Sequence, residues 1–262
     1  MKRKVILISI DGMRPDGLQQ CGNPFVQELI HRGSYTLAGS SVDPSVTLPC
    51  HMSIFHSVTP ERHGVTTNTY TPMVRPVKGL FEQISNAGGT SAMYYGWEPL
   101  RDVSRPGFLK YSRYIWAYSA ENTDRLLTGA ALQDIQQYEP DFVFLYMVET
   151  DEKGGHDNGW MSEPYLRCIH NAINNVKAVL DQVGEEFTVI VTADHGGHDR
   201  LHGTNLPEDM TIPMFFIGPE FEPGKELAGI SLLDLAPTIA HIMGVPIPRE
   251  WEGRPIVGKV GE

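Results

Sequence analysis

The sequence predicts an α/β domain with a largely parallel sheet sandwiched between helices. Two observations carry the prediction. Apolar runs at 5–10, 142–148, 187–192 and 214–217 are short, continuous and rich in β-branched residues, as strands covered on both faces are. Between and around them lie stretches with helical patterning, at 24–32, 78–86, 123–138, 163–183 and 232–243. Such strand–helix alternation builds a parallel sheet.

Taken in order, the run at 5–10 follows Met1-Lys2-Arg3-Lys4 and ends at Asp11. Six apolar residues are too few for a secretory signal, which needs roughly 7–15, so this segment is read as the first strand. No run reaches the ~20 apolar residues of a membrane span. The chain is read as one catalytic domain over residues 1–262, with a small cap-like excursion at about 66–120. That excursion holds eight aromatics between Tyr94 and Tyr118: Tyr94, Tyr95, Trp97, Phe108, Tyr111, Tyr114, Trp116 and Tyr118. It is either a small packed subdomain off the sheet or a wall that stacks on the organic part of a substrate.

Composition narrows the function. The formal charge is 21 − 32 = −11, which argues against the clustered basic surface of a nucleic-acid binder. An anionic substrate remains compatible, because bound cations can reverse the sign of a site. Cys21, Cys50 and Cys168 are odd in number and form no CxxC pair. They read as reduced thiols, with a cytoplasmic location expected.

In open α/β sheets ligands gather outside the carboxyl ends of the strands. Asp11 follows the first run. Asp151 follows the second, with His156 shortly after. Asp194 and His195 follow the third, with His198 and His202 beyond. An acid after one strand is usually a turn or cap residue. Three such ends together supply three carboxylates and several imidazoles, which would repel without cations. Mixed Asp and His ligation suits zinc, with Mn or Fe also compatible. Separately, Thr47 stands two residues before Pro49, where a helix is expected to open. Its hydroxyl is either an N-cap or a nucleophile in the positive field of a helix N-terminus.

These motifs together resemble the alkaline phosphatase superfamily, and most closely its nucleotide pyrophosphatase/phosphodiesterase branch. The matching stretches are Ile10-Asp11-Gly12-Met13-Arg14-Pro15-Asp16, Pro44-Ser45-Val46-Thr47-Leu48-Pro49, Glu61-Arg62-His63-Gly64-Val65-Thr66-Thr67-Asn68, and Asp151 to His156. Thr192-Ala193-Asp194-His195-Gly196-Gly197-His198, running on through His202-Gly203-Thr204, is the most specific. Leu233-Asp234-Leu235-Ala236-Pro237-Thr238 and Met243-Gly244-Val245-Pro246 complete the set. The resemblance implies one metal on Asp151, His156 and His202. It implies a second on Asp11, Asp194 and His195, with Thr47 as a further ligand and as nucleophile. Asn68 matches an asparagine that hydrogen-bonds a non-bridging phosphate oxygen.

This sequence departs from the branch in two places. Four residues separate Asp151 from His156 where the branch has three, and Cys50 replaces an asparagine after Thr47. His198 is a competitor for the place given to His202. The expected activity is a two-zinc phosphodiesterase or nucleotide pyrophosphatase acting through a phospho-threonine on a small phosphate ester, possibly a nucleotide. Phosphomonoesterase, phosphonate hydrolase and phosphomutase are the alternatives, with Arg14 and Arg62 as candidate phosphate-binding residues for a monoesterase. A sulfatase is disfavoured because Thr47 holds the nucleophile position and His51 stands where sulfatases place an arginine. A metal-binding module without catalysis is the reading from another class.

Overall fold

The computed structural model describes residues 3–256. Seven strands form one sheet: β1 (Lys4–Ile10), β2 (Ser34–Ser40), β3 (Ser91–Tyr95), β4 (Tyr111–Tyr114), β5 (Phe142–Met147), β6 (Phe187–Thr192) and β7 (Thr211–Ile217). Their spatial order is β2-β7-β6-β1-β5-β3-β4. The run at 5–10 is thus the central strand. It is paired in parallel with β5 on one side and β6 on the other, and every residue from Val5 to Ile10 is buried. β7 runs antiparallel to β6 and to β2, so the sheet is mostly parallel with one reversed strand near its edge.

Helices α1 (Pro15–Gln20), α2 (Phe25–Arg32), α3 (Thr47–His56), α4 (Pro60–His63), α5 (Leu80–Asn86), α6 (Thr123–Tyr138), α7 (Glu163–Gln182), α8 (Pro207–Met210) and α9 (Leu235–Met243) surround the sheet. α1, α2 and α6 pack on α7, while α3 and α5 pack on α9, and α7 and α9 both touch β1. The longest, α7, opens with Ser162 accepting a hydrogen bond from Tyr165 N–H, a side-chain cap for an otherwise orphan donor. It buries Tyr165, Ile169, Ala172, Ile173, Val176 and Val179, the stripe that a 3.6-residue period places on one side. Among the described residues no helix is long and apolar enough to cross a membrane. All three cysteines are free thiols.

Three strands go beyond the sequence prediction. β2 is a polar, half-buried segment with no continuous apolar run, so it carried no core signal. β3 and β4 lie inside the aromatic stretch, and both join the main sheet in parallel. The aromatic stretch is therefore not an excursion off the sheet as a whole. Tyr94 and Tyr95 belong to β3, and Tyr111 and Tyr114 to β4. Aromatic rings suit a pleated, partly covered surface, and the Gly and Pro that suggested a departure fall in the loops between. Only the connections, chiefly 66–79 and 96–110, leave the sheet.

Candidate active site

Strand register brings the predicted ligands to one edge. Ser9 pairs with Thr192 and Ile10 with Met147. Asp11 and Asp194 each stand two residues past the Ser9–Thr192 pair and emerge side by side. Asp151 follows four residues after the end of β5. Gly12, at φ +66°, lets the chain turn there, and a Cβ on it would come within 3.0 Å of Asp151 Oδ1.

The side chains converge. His195 Nε2 lies 3.2 Å from Asp11 Oδ1 and 3.4 Å from Asp194 Oδ2. His156 Nε2 lies 3.3 Å from Asp151 Oδ2, and His202 Nε2 lies 3.8 Å from Asp151 Oδ1. Two sets, Asp11–Asp194–His195 and Asp151–His195–His202, each have ligand atoms within 4.8 Å of one another. His195 is common to both, and its ring stacks on His202 at 3.9 Å between centroids. His156 stands at the more open edge, next to Asp151.

The imidazoles are oriented alike. Nδ1 of His156 meets Arg200 O at 2.9 Å, Nδ1 of His195 meets Gly196 O at 2.8 Å, and Nδ1 of His202 meets Ser45 O at 2.9 Å. A carbonyl only accepts, so each Nδ1 carries a proton. Burial holds His195 and His202 neutral, with the Nε2 lone pair toward the carboxylates, whereas His156 Nε2 lies close enough to Asp151 Oδ2 to donate to it, which raises His156 to about 9. Burial, followed for His202 by His195, pushes His195 and His202 down, His202 to about 4. A lone pair facing a carboxylate oxygen is repulsive unless a cation lies between them. Asp11 Oδ1, Asp151 Oδ1 and Asp194 Oδ2 are buried and have no hydrogen-bond donor, which is costly for a carboxylate. Burial, with Asp194 and Asp151 nearby, raises Asp11 well above the usual carboxylate range, and Asp194 is raised mainly by burial. Burial would raise Asp151 too, but the His156 hydrogen bond and the neighbouring imidazoles hold it low. The donor set therefore fits divalent metal ions.

The spacing between Asp151 and His156 has a structural explanation. Residues 150–156 form a π-helical turn, in which the Asp157 N–H donates to Glu152 O five residues back. In an α-helix residues five apart point to different sides. The wider turn places Asp151 and His156 on one side, so the extra residue is absorbed. Such turns recur at functional sites.

Thr47 is the first residue of α3, and the cap position belongs to Val46. Pro49 is the third helical residue rather than the first. The Thr47 hydroxyl caps no backbone group and lies 3.1 Å from His195 Nε2. Asn68 approaches the same helix start: its Oδ1 accepts from Leu48 N–H at 3.0 Å.

Other candidates are placed elsewhere. His198 faces Asp209, with Nδ1 2.7 Å from Oδ1, and stays outside both sets. Arg14 is held by Asp16 and by Gly197 O, and Arg62 by Arg75 O. His51 is buried beneath the site, with Nδ1 2.7 Å from Thr47 O and Nε2 3.2 Å from Ser9 Oγ. Trp116 and Tyr118 are exposed, 5.5 Å apart, and the Tyr118 hydroxyl reaches Glu152 and Asp157 beside the π turn.

Sequence reasoning missed Tyr146, whose hydroxyl donates to Asp11 Oδ2. A tyrosine inside the apolar run 142–148 was the available signal, since a buried hydroxyl needs a partner. It also missed Trp160 and Tyr165, which both donate to Gly12 O at 2.9 Å.

Comparison with known proteins bears on the family and the fold. The family model for Type I phosphodiesterase / nucleotide pyrophosphatase matches residues 5–206. Phosphopentomutase of Symbiobacterium thermophilum is 27% identical over 182 residues, covering 69% of this chain and 43% of the relative. Ectonucleotide pyrophosphatase/phosphodiesterase family member 1 of Rattus norvegicus is 25% identical over 217 residues, covering 73% of this chain and 24% of the relative. The chain thus spans less than half the length of these two curated relatives. The structure of murine ectonucleotide pyrophosphatase / phosphodiesterase 5, an inactive threonine-to-alanine variant in complex with AMP, superposes with a TM-score of 0.79 at 16% identity, covering 94% of this chain and 96% of that one. At that identity the likeness speaks to the fold, which is that of the alkaline phosphatase superfamily. The match over residues 5–206 assigns this chain to the Type I phosphodiesterase / nucleotide pyrophosphatase family.

Proposed function

We propose that this chain is a two-metal hydrolase of phosphodiesters or nucleotide pyrophosphates, with Thr47 as nucleophile. The observation that carries the reading is the convergence of donor-free oxygens of Asp11, Asp151 and Asp194 with Nε2 of His195 and His202, beside the Thr47 hydroxyl. Asp11, Asp194, His195 and Thr47 would hold one ion, and Asp151, His156 and His202 the other. Zinc suits the donors, and Mn or Fe is compatible. When bound, such ions lower the pKa of a coordinated hydroxyl or water and neutralise charge on phosphoryl oxygens.

The chain's own residues supply the rest. The Thr47 Oγ1–P bond forms as the P–O bond opposite it breaks, the hydroxyl proton ends on the departing oxygen, and a phospho-threonine results. Water then cleaves the Thr47 O–P bond and restores the hydroxyl. Asn68 Oδ1 is engaged by Leu48 N–H, which leaves its amide N–H₂ free to donate to a non-bridging oxygen. Three carboxylates against two divalent ions leave about one positive charge before Thr47 ionises, a match for the single negative charge of a diester. Trp116 and Tyr118 offer exposed rings for a planar leaving group. The likeness to a phosphopentomutase favours a phosphomutase as the second reading.

The test is Thr47→Ala in zinc-loaded protein. Turnover is expected to be lost with two metals still bound, and a near wild-type rate would refute the assignment. A panel of an aryl diester, a nucleoside diester, an aryl monoester, an aryl phosphonate and an aryl sulfate ranks the substrate class by kcat/KM.

A further inference from the structure

The π turn that carries Asp151 and His156 is gripped from two sides. On one side Gly154 and Gly155 lie flat against α7 and Trp160. A Cβ on Gly155 would meet the Trp160 ring at 2.6 Å, and one on Gly154 would meet Tyr165 Cα at 3.0 Å. On the other side stands Lys153, between the two ligand positions. Its ammonium donates to Glu149 Oε1 at 2.6 Å, to Ala120 O at 2.9 Å and to Glu121 O at 3.1 Å, which uses all three of its hydrogens. Glu149 Oε1 also accepts from Thr123 N–H at 2.8 Å. Asp124 accepts from Val148 N–H and Glu149 N–H at 2.9 and 3.1 Å. The end of β5, the start of α6 and the π turn are thereby joined through two buried carboxylates and one cation.

We propose that Lys153 is a positioning residue that locks the wide turn, so that Asp151 and His156 present their ligand atoms together despite the additional residue between them. The inference rests on the two-metal reading of the site. A turn with five-residue hydrogen bonds is less favourable than an α-helical one. Without the ammonium bonds to residues 120 and 121, the segment is free to tighten, and tightening would turn His156 away from Asp151. Lys153 itself touches neither ligand, and its effect is on the geometry of one metal set only.

The test is zinc binding by titration calorimetry, with metal content per chain, on the wild-type chain and Lys153→Met. The wild type is expected to bind two ions. In the variant one ion is expected to bind with unchanged affinity and the other about 10- to 100-fold more weakly, the usual cost of losing an outer support. Turnover at limiting zinc is expected to fall and to recover at excess zinc, which a general loss of fold would not produce. Lys153→Arg, which keeps the cation and its donors, is expected to restore most of the affinity. Should Lys153→Met fail to fold, the double variant Lys153→Met with Glu149→Gln removes the unpaired buried charge and is expected to show the same split. Wild-type affinity for both ions in either variant overturns the inference. A wild-type protein that binds no zinc overturns the two-metal reading itself, and the two failures are thereby distinguished.

Discussion

The hydroxyl of Tyr146 donates to one carboxylate oxygen of Asp11, while the other oxygen faces His195 Nε2 at 3.2 Å. The tyrosine thus orients the carboxylate from below and leaves one oxygen for a cation. Tyr146→Phe removes the donor and little volume. Zinc affinity at the Asp11 set is expected to fall about 10- to 100-fold, read by competition with a chelator. Unchanged affinity would show that strand packing alone orients Asp11.

Asn68 allows a sharper substitution than alanine. Asn68→Asp keeps an oxygen for Leu48 N–H but replaces the free amide with a negative oxygen on the side where the proposed phosphate substrate would approach. Asn68→Ala is expected to lower kcat about 10²- to 10³-fold, as loss of one oxyanion donor does, and Asn68→Asp more. Equal losses in the two variants would argue that Asn68 only supports the start of α3.

Metal removal is expected to destabilise the fold in a pH-dependent way. In the stripped protein Asp11 and Asp194 are raised by burial. His156 is raised to about 9 by its hydrogen bond to Asp151. For a raised group, stability is fully present below the unfolded pKa and is lost as pH rises through the folded one. The drop in Tm on chelation should therefore grow across the window from the ordinary histidine value of 6.5 to about 9. Thermal unfolding with and without chelator checks it, and a drop independent of pH would contradict the account.

Two buried histidines away from the ligands act with the opposite sign. Burial lowers His56 to about 4, and burial, then His56, lowers His63 to about 4. His63 Nδ1 accepts from Val65 N–H at 3.1 Å, a bond that protonation would break. Between 6.5 and about 4 the unfolded chain binds the extra protons. Stability of the stripped protein should fall with decreasing pH by up to about 1.4 kcal/mol per pH unit for each group. Denaturant unfolding of His56→Gln is expected to show a shallower slope across that range.

Much of the fold and of the candidate site is legible in the sequence. β1, β5 and β6 announced themselves because strands covered on both faces must be apolar throughout, and their carboxyl ends named Asp11, Asp151, Asp194 and His195. The edges were harder to read. β2 is polar and half-buried, and β3 and β4 look like a loop when aromatics and prolines are counted rather than paired. The ring orientations of His156, His195 and His202 depend on carbonyls supplied by Arg200, Gly196 and Ser45, two of them distant from the ring in sequence. Tyr146 and Lys153 act through bonds to residues 135 and about 30 positions away, and no local pattern encodes such a bond.

The widened turn between Asp151 and His156 bears on how ligand signatures are searched for. A fixed gap of three between acid and imidazole would discard this chain, although its geometry accommodates four. An insertion between two ligands is tolerated when glycines let the backbone swell against a flat aromatic wall, as Gly155 does on Trp160. Homologues with the longer gap should therefore carry small residues inside it, and a bulky one there would mark a chain in which that half of the centre has been abandoned.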